Sequence, residues 1–265
     1  MEFLKIVKHR SFLNEVIYVA LNIGLAIMLL VLVKVTNSIL PAFVLVLLSK
    51  WRVLAVRWRF WAANIQANLV SIIVDFGFII FLYNSNLTGA DNLQNFIFQI
   101  ILVILYACWL LLLRPSSKRK YIAAQAAVAL FVGITSIYII SYNWPAFLVV
   151  SSVWVVGYAT ARHVLSSYDE DHVILLSLAW GLFLAEIGWL VYHWTIAYRL
   201  PIVTNLLLPQ ASIIISCLGF LVYKTYDSYF HHSKVRLGDI ILPLLFTVSI
   251  IGVLVLAFNS ISSGI

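Results

Sequence analysis

The chain has 265 residues, of which 63% are hydrophobic and only 10% are charged. A water-soluble domain carries about 25% charged residues, so this composition excludes a soluble enzyme or soluble binding domain. The formal net charge of +7 does not indicate nucleic-acid binding, because the basic residues cluster in short loops between apolar stretches. That arrangement is typical of the cytoplasmic face of a membrane protein and favours contact with anionic lipid head groups.

Apolar stretches separated by short polar breaks predict about nine transmembrane helices. In chain order these are Val16–Val35, Ile39–Val56, Trp61–Tyr83, Leu93–Leu113, Tyr121–Ile140, Pro145–His163, His172–Trp194, Ile202–Tyr223 and Ile240–Phe258. Most reach the ~20 residues that cross about 30 Å of hydrocarbon. The second is the weakest, because its purely apolar part is only Ile39–Leu48, and we expect Lys50 and Arg52 to extend to the membrane interface. A re-entrant second segment is the alternative.

The distribution of charge predicts the orientation of the helices. With the N-terminus inside, all 17 Lys and Arg residues except Lys34 and Arg199 fall on the cytoplasmic side. A re-entrant second segment would move Arg114–Lys120 outside, so nine spans with the C-terminus outside fit better. We therefore expect an all-α polytopic integral membrane protein, located in the bacterial cytoplasmic membrane.

An internal similarity suggests that part of the chain is duplicated. Asp75–Phe81 reads DFGFIIF and Glu186–Tyr192 reads EIGWLVY, with each position conservatively matched at an offset of 111 residues. The same offset carries Gln99 onto Gln210. Four spans per copy would give parallel repeats, and transporters built from such repeats place their substrate site between the copies, near mid-membrane.

The repeat predicts three segments along the chain. Residues 1–36 would form a basic N-terminal segment and the first helix, 37–143 the first four-helix repeat, and 144–265 the second. The first helix would stand outside the duplication.

Asp75 and Glu186 are the candidate functional residues with the clearest physical argument. A charged carboxylate inside hydrocarbon costs about 2.5–3.5 kcal/mol on insertion scales, so such residues are rare and often functional. Both lie about 4–5 Å to the external side of their helix centres at 1.5 Å per residue. Gln99 and Gln210 fall at a similar depth, so the four groups are expected to form one intramembrane site for a proton, a cation or a substrate.

The third predicted span carries a polar stripe that leads to Asp75. Asn64, Asn68 and Ser71 precede it at the spacing of one helix face. Polar groups facing lipid would lack hydrogen-bond partners, so the stripe should face the bundle or water, and it predicts an access path from the cytoplasmic end. A purely structural role, in which each acid stays protonated and binds a neighbouring helix, is the alternative.

Weaker signals concern the membrane surfaces. His193 lies seven residues after Glu186 and is a candidate proton relay, although an anchor in the interfacial aromatic belt is the favoured explanation. Basic side chains in the cytoplasmic loops are candidates for lipid head-group contact: Arg52, Arg57, Arg59, Lys118, Arg119 and Lys120. The sequence predicts no metal site, no cofactor and no nucleic-acid partner.

Three functions remain open from the sequence. The leading hypothesis is a small secondary transporter or permease for an unidentified small solute or ion, with proton- or cation-linked carboxylates. The alternative is a non-catalytic membrane subunit or scaffold that docks a partner protein. A lipid-modifying membrane enzyme is less favoured, because neither a nucleophile–base set nor a nucleotide-binding motif is present.

Overall fold

A computed structural model describes residues 12–55, 57–86, 93–168, 170–194, 196–200 and 203–257. Helices account for 85% of the structure. Within the described ranges the helices are α1 (Phe12–Thr36), α2 (Leu40–Ser49), α3 (Trp51–Leu54), α4 (Trp61–Asn86), α5 (Leu93–Cys108), α6 (Arg119–Ile140), α7 (Ala146–Leu165), α8 (Val173–His193), α9 (Gln210–His232) and α10 (Leu237–Ala257). A 3₁₀ turn at Trp58–Phe60 precedes α4, and α5 ends in a π-helical turn at Trp109–Leu113.

Seven of the helical segments in the described part of the chain are long and apolar enough to cross a membrane. These are α1, α4, α5 with its π-helical turn, α6, α7, α8 and α10. The chain is therefore a helical integral membrane protein. The predicted count of nine spans also included α2 and α9, which do not meet the same criteria of length and apolar content.

α2 is a half-length helix. Its ten residues extend only about 15 Å at 1.5 Å per residue, half of the ~30 Å hydrocarbon thickness. It stops at Lys50, after which the chain forms the four residues of α3 and the 3₁₀ turn. The second predicted span is thus interrupted at Lys50, at the point where its purely apolar sequence ends.

The eighth predicted span, Ile202–Tyr223, is wrong at its start. Val203–Pro209 is a strand that pairs antiparallel with Ala197–Leu200, and α9 begins only at Gln210. Pro209 stands immediately before the helix, where its fixed φ suits an extended residue. The second strand of this hairpin packs against α4, α5 and α6. Its apolar residues were predicted to belong to a membrane helix, but they cover the helix bundle instead.

The helices form two hydrophobic cores. The first contains residues of α1, α2, α4 and α5, and Leu206 of the hairpin joins it. The second contains residues of α6, α7, α8 and α9. α6 contributes to both, with Ala129 in the first and Leu130 in the second. Because α6 belongs to the first predicted repeat unit, the cores do not divide the chain at residue 143, and the duplication stays a prediction.

Glycines permit the closest helix contacts of the second core. A Cβ atom on Gly157 of α7 would lie 3.1 Å from the Cα of Gly181 on α8, and one on Gly188 would lie 3.1 Å from the side chain of Val153. Small residues of this kind let helix backbones approach in membranes, where dispersion rather than water exclusion drives association. α7 and α8 therefore form a tightly packed antiparallel pair.

Candidate functional site

The only buried acid–base ion pair among the described residues joins Lys50 to Asp75. The Lys50 Nζ lies 2.5 Å from Oδ2 of Asp75 and donates a second hydrogen bond to the Ser71 hydroxyl at 2.8 Å. Asp75 is 1% exposed and Lys50 is 6% exposed, so both charges are removed from solvent and lipid alike. The prediction that Lys50 reaches the membrane interface is wrong.

The half-length helix explains why a lysine reaches Asp75. Lys50 directly follows the ten residues of α2, so it lies at the C-terminal end of that helix and faces the middle of α4. The C-terminal end of a helix carries a partial negative charge that stabilises an adjacent cation. A single residue of α4, Asp75, supplies the full opposite charge.

Tyr106 of α5 completes the site from a third helix. Its hydroxyl donates to Oδ1 of Asp75 at 3.0 Å, so both carboxylate oxygens have a partner. Its ring stacks on Phe78 with centroids 4.1 Å apart and planes 8° from parallel. This stacking orients the phenol, since Phe78 lies one helical turn beyond Asp75 on α4.

The polar stripe of α4 makes hydrogen bonds within the protein, and the access path along it stays a prediction. Asn64 Nδ2 donates to the carbonyl oxygen of Val53 at 3.0 Å, which ties α4 to α3. Asn68 Nδ2 donates to the Asn64 carbonyl oxygen at 2.8 Å, and Ser71 accepts from Lys50. The stripe is therefore a seam between α4 and the interrupted second helix.

The structure does not bring Glu186 to Asp75. Glu186 is exposed on the outer side of α8, whereas Gly188 two residues later packs into the contact with α7. In the described part of the chain, α7 is the main neighbour of α8. The expected face-to-face pair of acids is not formed, because the two helices carrying them belong to different cores.

The two glutamines also lie in separate places. Gln99 is buried within α5, and its Nε2 donates to the Ser85 hydroxyl at 3.3 Å. Gln210 is the first residue of α9, next to the hairpin, and its backbone N–H donates to the Ile196 carbonyl oxygen. Among the described residues no hydrogen bond joins either amide to Asp75 or Glu186, so the four predicted groups do not form one polar layer.

His193 lies exposed at the last residue of α8. Its Nδ1 is 2.9 Å from the carbonyl oxygen of Trp189, and its ring packs against Trp189 and Tyr192. These contacts fit an aromatic cluster at the membrane boundary. A proton relay through His193 to Glu186 stays a prediction.

The basic loop residues differ in how firmly they are held. Arg57, Arg59, Lys118 and Lys120 are exposed, and the side chain of Arg52 lies outside the described residues. Arg119 instead stacks over the ring of Tyr168, with its guanidinium carbon 4.4 Å from the ring centroid.

The ring of Tyr168 is itself fixed by an acid on α9. Its hydroxyl donates to Oδ1 of Asp227 at 2.8 Å. Burial, reinforced by this hydrogen bond, raises the pKa of the Tyr168 phenol, so the ring that supports Arg119 stays neutral at physiological pH. Arg119 is therefore held by a packed cluster rather than free in solvent.

Lys50 and Tyr106 are the site residues that the sequence interpretation missed. A signal for Lys50 was present, because a ten-residue apolar run is too short to carry its polar end across the membrane. A weaker signal marked Tyr106, which lies seven residues after Gln99 and hence on the same face of α5.

Comparison with protein-family models, with curated proteins and with solved structures finds no match to this chain.

Proposed function

We propose that this protein is a small proton- or cation-linked membrane transporter whose coupling site is the Lys50–Asp75 pair. The observation that carries the proposal is a buried ion pair at the end of a half-length helix. In secondary transporters, interrupted helices near mid-membrane supply the ends and charged groups that bind ions and substrates. The Lys50–Asp75 pair has this arrangement, with Tyr106 and Ser71 as additional ligands.

The chemistry of the pair suits exchange between two states. In the paired state the charges of Lys50 and Asp75 cancel, which removes most of the cost of placing each charge in hydrocarbon. Protonation of Asp75, or binding of a cation to its carboxylate, would remove the attraction that holds Lys50. The interrupted segment could then move relative to α4 at low cost, since α3 contains only four residues.

Proton and cation flux in reconstituted vesicles tests this proposal. The purified full chain is placed in liposomes that contain a dye selective for H⁺, Na⁺ or K⁺, and a gradient of the matching ion is imposed in each case. We expect flux of at least one ion from the unchanged protein, and loss of that flux to the level of empty vesicles in Asp75→Asn. The double variant Lys50→Met/Asp75→Leu should also be inactive while remaining folded, because it removes both charges together.

Glu186→Gln provides the matched control, since it also removes a single intramembrane carboxylate. It should leave the flux unchanged, because Glu186 lies away from the ion pair. The proposal is wrong if the double variant carries the same flux as the unchanged protein, or if the unchanged protein carries none of the three ions.

A second candidate, a membrane subunit that docks a partner protein, is favoured by the position of Glu186. Intramembrane acids almost always face a bundle interior or an aqueous cavity, whereas Glu186 is exposed on the outer side of α8. A partner helix with a basic or hydrogen-bonding side chain would satisfy this carboxylate. Glu186→Gln should then reduce co-purification of a membrane partner without changing ion flux, and equal recovery of partners from both proteins would contradict this candidate.

A further inference from the structure

A cavity of about 600 Å³ lies among α6, α7, α8 and α9. Small-molecule sites in proteins typically measure about 300–1,000 Å³, so the space is large enough for a ligand. Its walls are almost wholly apolar, with alanines on three of the helices and the rings of Trp180 and Phe220 among the lining groups. It lies outside the Lys50–Asp75 site, which belongs to the other core.

Small residues create the space. Four alanines of α6, at positions 123, 124, 126 and 127, line the cavity together with Gly219 of α9. An apolar void of this size leaves its walls without dispersion partners, which is unfavourable in a packed interior. Because the cavity is open at the protein surface, a hydrocarbon chain could enter and supply the missing contacts.

The position of the cavity along the helices indicates the leaflet that supplies the ligand. It is lined by the first three turns of α6, the last turns of α7, the first half of α8 and the middle of α9. These segments lie at the end of the bundle that carries Lys118, Arg119 and Lys120. The occupant should therefore come from the leaflet at that end.

Basic side chains lie next to this cavity, at the start of α6. A second hollow, lined by Lys118, Arg119 and Lys120, shares Ala124 with the first cavity. Arg119 is held there by Tyr168 and by Phe230, whose ring centroid is 5.1 Å from the guanidinium carbon. The three residues surround the start of α6, where the helix dipole adds partial positive charge.

We propose that this double hollow binds a phospholipid with an anionic head group, with an acyl chain in the apolar cavity and the phosphate beside Lys118, Arg119 and Lys120. Charge complementarity selects the anionic head group, and the apolar lining selects the hydrocarbon chain. This site is independent of the proposed transport function, so either can fail without the other.

Quenching of tryptophan fluorescence by brominated lipids tests the site. The purified protein is reconstituted in phosphatidylcholine vesicles that contain a minor fraction of lipid with brominated acyl chains, either phosphatidylglycerol or phosphatidylcholine. We expect stronger quenching by the brominated phosphatidylglycerol. Because the chain has nine tryptophans, Trp180→Phe assigns the signal: the excess quenching by the anionic lipid should largely disappear.

Two pairs of variants separate head-group binding from general surface charge. Lys118→Gln/Lys120→Gln should weaken the selective binding by roughly thirtyfold, the effect of removing two basic side chains beside a membrane surface. Arg57→Gln/Arg59→Gln removes two exposed charges from another loop and should leave the selectivity unchanged. Arg119 is kept in both variants, because its packing stabilises the loop.

A further pair tests the cavity. Ala127→Phe should fill it and abolish the excess quenching, whereas Ala20→Phe, at an exposed position of α1, should have no effect. Equal quenching by the two brominated lipids in the unchanged protein would overturn the proposal. So would excess quenching that survives in Trp180→Phe, which would place the anionic lipid elsewhere.

Discussion

The two cores of this protein deal with charge in opposite ways. The first core encloses opposite charges, Lys50 and Asp75, and surrounds them with packed aromatic and aliphatic side chains. The second core excludes charge from its interior, keeps basic residues at one end and leaves an apolar cavity between its helices. One chain therefore contains a region specialised for an internal ion pair and a region with room for an apolar ligand.

Helix geometry produces this contrast. In the first core α2 ends beside the middle of α4, and this helix end carries Lys50. A continuous helix would have no end, and hence no C-terminal lysine, at that position. In the second core α6, α7 and α8 are continuous, and small residues decide where the helices touch and where they leave a space. Glycines at the α7–α8 contact bring backbones together, while alanines of α6, α7 and α8 line the cavity.

Removal of one member of the ion pair should have the largest effect on stability. Lys50→Met leaves the Asp75 carboxylate buried without its countercharge, which should cost about 3–5 kcal/mol. The double variant Lys50→Met/Asp75→Leu should recover most of this loss, because apolar replacements of a buried pair are often neutral or stabilising. Unfolding of the purified proteins in detergent, followed by circular dichroism, measures the difference. Equal destabilisation by the single and double variants would show that the loss of the countercharge is not what destabilises Lys50→Met.

A larger residue at the α7–α8 contact should have the next largest effect. Gly157→Leu forces a side chain against the backbone of Gly181 and should destabilise the protein by about 1–3 kcal/mol through overpacking. Gly24→Leu is the matched control, because nothing lies within 4 Å of the corresponding position on α1. The same unfolding measurement applies, and similar losses in both variants would show that the α7–α8 contact is not specifically tight.

The sequence predicts the continuous helices of both regions well. The predicted Leu93–Leu113 agrees with α5 and its π-helical turn, and the predicted start at Trp61 agrees with α4. Their long apolar runs are bounded by polar residues, so composition alone marks the ends. The hairpin was missed because Val203–Pro209 is as apolar as a membrane helix, and average hydropathy does not distinguish a buried strand from a helix.

The candidate site was predictable in part. The cost of polar groups in hydrocarbon marked Asp75 and the polar stripe that precedes it as candidate site residues. In the structure each residue of the stripe forms a hydrogen bond within the protein. The partner of Asp75 was not predictable from the repeat, because sequence similarity between α4 and α8 contains no information on which helices pack together. Lys50, and not Glu186, is the partner of Asp75, and only the tertiary packing of the helices determines this pairing.

Loss of the Tyr106 hydroxyl should have a smaller effect on the first core. Tyr106→Phe keeps the stacking on Phe78 but removes one hydrogen bond to Asp75, at a cost of about 0.5–1.5 kcal/mol. Tyr121→Phe, which changes an exposed tyrosine on α6, serves as the control and should be neutral. Because Lys50 still neutralises Asp75, a loss as large as that of Lys50→Met would contradict the ion pair as the main stabilising contact.

The smallest effect is expected where the second core has space. Ala127→Leu adds three carbon atoms at the cavity wall, and the open volume should accommodate them with a change of less than about 0.5 kcal/mol in the free energy of unfolding. Gly157→Leu, in the same core and measured in the same way, provides the contrast. If Ala127→Leu destabilised the protein as strongly as Gly157→Leu, the helices around the cavity would already be packed together, and an acyl chain would have no place to bind.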